Sequence, residues 1–442
     1  MISRAIVSLM CAAGVLSCPA NGANPNPNPE WDSQWPTLES PFLTDHVQLT
    51  SQTTFLKAGE NYFSPDGRFL IFQAIPLPED GHEAEAHYSM FVGALKRDDA
   101  GNIIGLGQAN RVSEPGSANT CGWFHPTEPM KILFGTTTVA PSGEDVAGFQ
   151  RKTSKYSWQF PVEMDIVSGT LSMTYVLSTE AEARAKKLAE EDTSKTPDIS
   201  ISDIVSVPAL TESAPLWERS GYDAEGSWSS DGRYILYTRL EPGDNNGDIW
   251  IYDSTDGSHL PLVVAEGYDG GPFFSPDGKS ICYRSDRRGD NLLQIYVSYL
   301  KFDESGKVIG VDEELQLTDN DYVNWAPFFT PDGKYLFYAS SKLGHGNYEV
   351  YAIDASGNDE PEDTPQLRIT HARGFDGLPA FLSDGQWMIW TAQRGAQREG
   401  EDRPSSQVWG AKIDLEAVDR AYQSLRDEMN GQGEDSGFAP GS

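Results

Sequence analysis

Apolar residues in this chain come in short runs that stop at the same polar punctuation. The phrases Phe63-Ser-Pro-Asp-Gly67, Trp228-Ser-Ser-Asp-Gly232, Phe274-Ser-Pro-Asp-Gly278, Phe329-Thr-Pro-Asp-Gly333 and Phe381-Leu-Ser-Asp-Gly385 each precede an aromatic or β-branched stretch. Those stretches are Phe69–Phe72, Tyr234–Tyr237, Ile281–Tyr283, Tyr335–Tyr338 and Met388–Trp390. Asp-Gly makes a tight turn because Gly accepts the positive φ that other residues resist. Two apolar runs around such a turn predict a β-hairpin. The pitch of about 46 to 61 residues predicts an array of like sheets, which for all-β units means a propeller.

Downstream of each hairpin lies a run with period-2 alternation: Tyr88–Val92, Tyr156–Phe160, Asp248–Tyr252, Leu293–Val297, Tyr348–Ala352 and Gln407–Gly410. Short fourth strands follow at Arg111–Ser113, Ala209–Thr211, Leu262–Val264, Leu315–Thr318 and Leu367–Thr370. In the second unit Phe124-His-Pro126 and Lys131–Phe134 stand where the Asp-Gly hairpin should be. Its length is about twice the usual pitch, and residues 178–195 read as a solvated helical insert rather than a seventh blade. Only five fourth strands follow in order, and Val47-Gln-Leu-Thr50 copies Leu315-Gln-Leu-Thr318. The N-terminal strand is therefore expected to complete the last blade, leaving no open edge. The predicted fold is all-β: a six-bladed propeller of four-stranded blades over 45–415, closed by that strand. Residues 416–442 should form a short helix and a disordered, Gly- and acid-rich tail.

With five Asp-Gly phrases in view, the chain resembles the TolB-like, or PD40 (WD40-like), propeller repeats of bacterial envelope proteins. The resemblance covers roughly residues 45–415 and implies fold more than function, since propellers host unrelated activities. Related propellers precede the catalytic domain of prolyl oligopeptidase-type peptidases, but no Gly-x-Ser-x-Gly elbow occurs here. The expected role is a non-catalytic binding scaffold of the periplasm or cell envelope, with an envelope protein or peptide as partner. The rival readings are a carbohydrate-active enzyme resembling oligogalacturonate lyases, or an accessory propeller for a separately encoded peptidase.

The N-terminus adds a compartment. A basic start and an apolar core from Ala5 to Ser17 read as a signal peptide over 1–22. Ala20-Asn-Gly22 suits ordinary cleavage, whereas Val15-Leu-Ser-Cys18 is an imperfect lipobox, so a lipid anchor at Cys18 stays open. The Pro/Asn repeat within 23–44 reads as an extended linker. No later run approaches a membrane span, and the mature protein is expected as a monomer. Cys121 and Cys282, two blades apart, are expected to be free thiols. A formal net charge of −33 repels nucleic acid and polyuronates and favours cationic peptides or divalent ions.

The candidate site comes from a second periodicity. Eight residues before each turn Asp, or before Thr127 in the second unit, stand Asn119, Asp223, Asp269, Asn324 and Asp376; the first unit has Ala58. These positions lie on loops crowding one mouth of the central channel. They can cap turns through backbone amides. They can also form a ring of oxygen ligands, with Glu60 and Glu225 nearby, for a divalent cation or a cationic peptide end. Arg287, Lys342 and Arg394, ten past the turn Asp, should emerge on the same face, to pair with those acids or to bind a carboxylate. No cofactor, metal ligand set or catalytic constellation can be assembled from the sequence. The stretch His82 to His87 has the wrong spacing for a zinc-protease helix, and His125, His345 and His371 are scattered singly.

Overall fold

In the computed structural model, residues 31–435 are described except for 79–80, 143–147, 151–154, 158–159, 192–198, 245, 359, 400 and 402. The segment read as a signal peptide, Cys18 and the final residues of the tail lie outside them. Six four-stranded antiparallel sheets form the ring. The inner strands are Phe55–Phe63, Asn119–Phe124, Tyr222–Trp228, Asp269–Phe274, Asn324–Phe329 and Asp376–Phe381 for blades one to six. Second strands such as Phe69–Pro76 and Tyr335–Ser340 are apolar and buried on both faces, because each is sandwiched between neighbouring blades.

The repeated phrase builds its turn in detail. Ser64 Oγ donates to Asp66 at 2.7 Å and accepts from Phe69 N–H at 2.9 Å, while Gly67 takes φ +64°. Ser229, Ser275 and Thr330 repeat the contact with Asp231, Asp277 and Asp332. In the second blade the His125 imidazole replaces the hydroxyl, accepting from Glu128 N–H at 3.1 Å.

The ring closes as expected. Leu43–Gln48 pairs with Gln407–Ile413, placing Leu43 opposite Ile413 and Val47 opposite Gly410. Thr50 then accepts from Val408 N–H at 2.8 Å, just as Thr318 accepts from Ile295 N–H at 2.9 Å.

Among the described residues three α-helices decorate the ring: α1 (Trp31–Glu39), α2 (Thr179–Glu191) and α3 (Leu415–Asp435). Helix α1 occupies part of the segment read as a linker; its last residue, Glu39, is fully buried. Helix α2 sits between the third and fourth strands of blade two. Helix α3 runs further than the short helix expected, and buries Val418 and Tyr422 beneath blades five and six. One strand assignment needs correction. The third strand of blade two is Asp165–Leu177, whereas Lys155–Ser157 pairs with Gly148–Gln150 in a separate small sheet. Alternation around Tyr156 is real, but it belongs to an insertion between the second and third strands. Cys121 and Cys282 are both free.

Candidate functional site

Every inner strand carries a bulge at the same place. The register slips at Gly59/Asn61, Thr120/Trp123, Ala224/Ser227, Gly270/Phe273, Trp325/Phe328 and Gly377/Ala380. The residue in the left-handed region is Glu60 (φ +43°), Cys121 (+50°), Glu225 (+59°), Gly271 (+60°), Ala326 (+54°) or Leu378 (+56°). Only one of the six is glycine, so most of these positions hold backbone strain that a side chain makes worse. The bulge re-aims the strand and sends these residues toward the axis.

The Asn/Asp positions lie two residues earlier, at the mouth end of each inner strand as the sequence implies. Their side chains are buried and already bonded. Asp223 accepts from Trp217 Nε1 at 2.7 Å and from Arg219 and Arg239. Asp269 pairs with Arg287 at 2.8 Å, and that guanidinium also reaches Glu314. Asp376 takes Trp390 Nε1 at 3.1 Å and Arg394. Asn119 donates to Tyr88 O and Ser117 O; Asn324 bonds Gln294, Asn320 and Ser340. Lys342 lies over the Tyr351 ring. Thus Arg287 and Arg394 do meet the acids of the ring, inside the protein.

Arg394 has a second partner that sequence reasoning missed. Glu39 of α1 receives both of its terminal nitrogens at 3.0 Å, together with His46 Nε2 at 2.8 Å and His371 N–H at 2.7 Å. Burial alone would raise the Glu39 carboxyl; Arg394 and these donors outweigh it and hold it below the usual range. Burial pushes Asp376 up to about 6, with the Glu39 charge adding to it against Arg394.

Around the axis a different cluster forms. Glu60 accepts from Cys121 Sγ at 2.8 Å and Thr120 Oγ1 at 3.1 Å. Glu225 accepts from Tyr268 OH at 2.6 Å, Thr238 Oγ1 at 2.8 Å, Gly271 N–H and Arg284 Nη2 at 3.1 Å. Burial pushes the Glu60 carboxyl up, and the nearby Glu225 charge adds to it. Burial and the Glu60 charge drive the Cys121 thiol well above its ordinary value, so it is no activated nucleophile.

Directly beyond this layer the channel is plugged. Tyr62 and Trp123 lie with centroids 4.6 Å apart, and Phe273 and Phe328 close the group at 5.1 Å. Tyr62 also meets Phe273 at 5.7 Å and Phe328 at 6.0 Å, so rings from blades one, two, four and five touch across the axis. The mouth is therefore floored by a buried polar layer backed by aromatic rings, together the cup.

Two acids of the rim sit close to other carboxylates. Burial, then the charge of Asp223, pushes Asp165 up to about 6. Burial, then the charges of Asp269 and Asp244, does the same to Asp248. Among the described residues no three His, Cys, Asp or Glu side chains converge in a metal-holding group. His82 to His87 lie in a loop, where Glu85 bonds Arg111. Glu60, Cys121, Tyr62, Tyr268 and Arg284 carry the cup but were not singled out as a set. For Glu60 and Cys121 the sequence signal is the position two residues after Ala58 and Asn119, where residue type varies between units; Tyr62, Tyr268 and Arg284 fall outside it.

No protein-family model matches the chain, and no curated protein matches it by sequence. It is similar to the solved structure of TolB from Acinetobacter baumannii: 17% identity, TM-score 0.42, covering 79% of this chain and 64% of that one. A putative TolB from Agrobacterium tumefaciens gives 15% identity and TM-score 0.40 over 81% and 90%. An oligogalacturonate lyase in complex with manganese gives 15% and 0.41 over 85% and 98%. The likeness is one of fold. The chain spans 64% of the length of the Acinetobacter protein, and the site is read from its own residues.

Proposed function

We propose that this chain is an exported, non-catalytic propeller that binds a basic segment of an envelope protein at its mouth. The observation behind the reading is a pair of rim acids, Asp165 and Asp248, that lie beside other carboxylates. Burial first, and then neighbouring acids, push both up to about 6; burial, with the Glu225 charge adding to it, also raises Glu60 on the floor. Such acids gain from any incoming positive charge. Passage through the ring is blocked, so the ligand docks rather than threads. The half-buried Cys121, whose thiol is raised well above its ordinary value, and the absence among the described residues of a poised acid/base pair with a nucleophile favour binding over turnover.

Titration calorimetry with an arginine-rich peptide tests this. Binding should weaken with added salt and fall in the Asp165→Asn/Asp248→Asn variant. No heat with the wild type, or equal affinity in the variant, would refute it. Export is tested separately by fractionation of cells making the full chain.

A further inference from the structure

The two outer strands of blade two are longer than their neighbours. Pairing of Asp165–Leu177 with the second strand ends at Thr170 opposite Lys131, yet its pairing with Ile204–Pro215 continues to Leu177 opposite Ile204. Residues 171–177 and 204–210 thus form a two-stranded arm beyond the end of blade two opposite the mouth, tipped by α2 and steadied by Gln108, which bonds Leu177 O and Thr179 N–H. Among the described residues no strand pairs the inward edge of 172–177. Leu171 N–H bonds Met130 O, so by strand alternation the N–H and C=O groups of Met173 and Tyr175 face that open edge.

The edge lacks every usual safeguard. Leu171-Ser-Met-Thr-Tyr-Val-Leu177 has no charge, no proline and no bulge of its own, where exposed edges are normally blunted by such features. Its apolar side chains are out in solvent: Tyr175 is 77% exposed, Met173 44%, and Ile201 at the arm's tip 89%. The partner strand's outer edge, by contrast, carries Pro208 and Glu212.

We propose that this edge is a dimer contact, pairing antiparallel with the same edge of a second copy about a two-fold axis at Thr174. The sequence is self-complementary in that register. Leu171 falls opposite Leu177 and Met173 opposite Tyr175 on one face, while Ser172 opposes Val176 and Thr174 meets Thr174 on the other. Met173 and Tyr175 of each copy exchange main-chain hydrogen bonds with Tyr175 and Met173 of its mate. A formal charge of −33 sets two copies against each other everywhere else, so an uncharged strand is the place where they can meet. The contact is isologous and consumes both open edges, so assembly stops at two.

Sedimentation velocity on the folded protein should give twice the monomer mass. Tyr175→Lys places a charge on the edge and should give a monomer with an unchanged unfolding midpoint. Thr174→Cys should form a covalent dimer on oxidation, since the two Thr174 residues face each other in a non-hydrogen-bonded pair; Cys282 is buried and the Cys121 thiol is unreactive. A monomeric wild type with no Thr174→Cys cross-link overturns the proposal. So does a dimer that persists undiminished in Tyr175→Lys.

Discussion

Removing the guanidinium from the cup tests its electrostatics most directly. Arg284 Nη2 lies 3.1 Å from Glu225 Oε1, with both side chains nearly buried. At an effective dielectric constant of about 20, unit charges at 3.1 Å attract by about 5 kcal/mol. Truncating one partner of a buried pair costs about 3–5 kcal/mol, because the other charge is stranded. Arg284→Met should therefore destabilise the propeller by about 3 kcal/mol or more near pH 8. In the variant Glu225 keeps the neutral donors Tyr268, Thr238 and the Gly271 N–H but loses its counter-charge. Urea midpoints followed by tryptophan fluorescence near pH 8 measure the loss, and adding Glu225→Gln should restore most of it. A loss under about 1 kcal/mol would refute the assignment of a buried ion pair.

Further outcomes follow from the same contacts. Glu39→Gln breaks a bidentate pair with Arg394 and should cost about 2 kcal/mol; limited proteolysis should then cut between α1 and Leu43, which an intact latch resists. Asp269→Asn leaves Arg287 with Glu314 alone and should lower stability, whereas an unchanged urea midpoint would mean that the ring positions are spare for a ligand. Phe328→Ala removes the ring that meets Tyr62, Phe273 and Trp123 and should cost about 3 kcal/mol with a shifted tryptophan emission. Peptide binding at the mouth should weaken as pH falls through about 6, as Asp165 and Asp248 take up protons; calorimetry across that range that shows no decline contradicts their role.

Much of the ring was legible because its punctuation is chemical. Ser64 and Asp66 are in the sequence for a hydrogen bond, and Gly67 for a backbone angle, so the same letters recur wherever that turn recurs. Val47-Gln-Leu-Thr50 was readable for the same reason: Thr50 makes the contact that Thr318 makes. The third strand of blade two was not, since Tyr156 alternates as a strand should and only pairing reveals its partner. The Asn/Asp positions were legible as positions but not as orientations. Nothing in the spacing says that Asp223 turns back to Trp217 and Arg219 rather than out to solvent. The cup escaped because Glu60, Cys121, Glu225, Gly271, Ala326 and Leu378 share a backbone angle instead of a residue type. Helix α1 was hidden by Pro36 within it and by the Pro/Asn run before it.

Closure by the N-terminal strand also imposes an order in time. Leu43 leaves the ribosome early, but its partner Ile413 is nearly the last part of the propeller to be made. Blades one to five can pair within themselves as they emerge, yet the sixth must wait for the whole chain. Contacts so distant in sequence form slowly and bear the largest loop-closure cost. Until then the strand Leu43–Gln48 and the edge of Gln407–Ile413 are both exposed and prone to pair elsewhere. A nascent chain of this protein therefore remains an open arc until synthesis is almost done, and its ring locks only when Leu43–Gln48 and Gln407–Ile413 are both present.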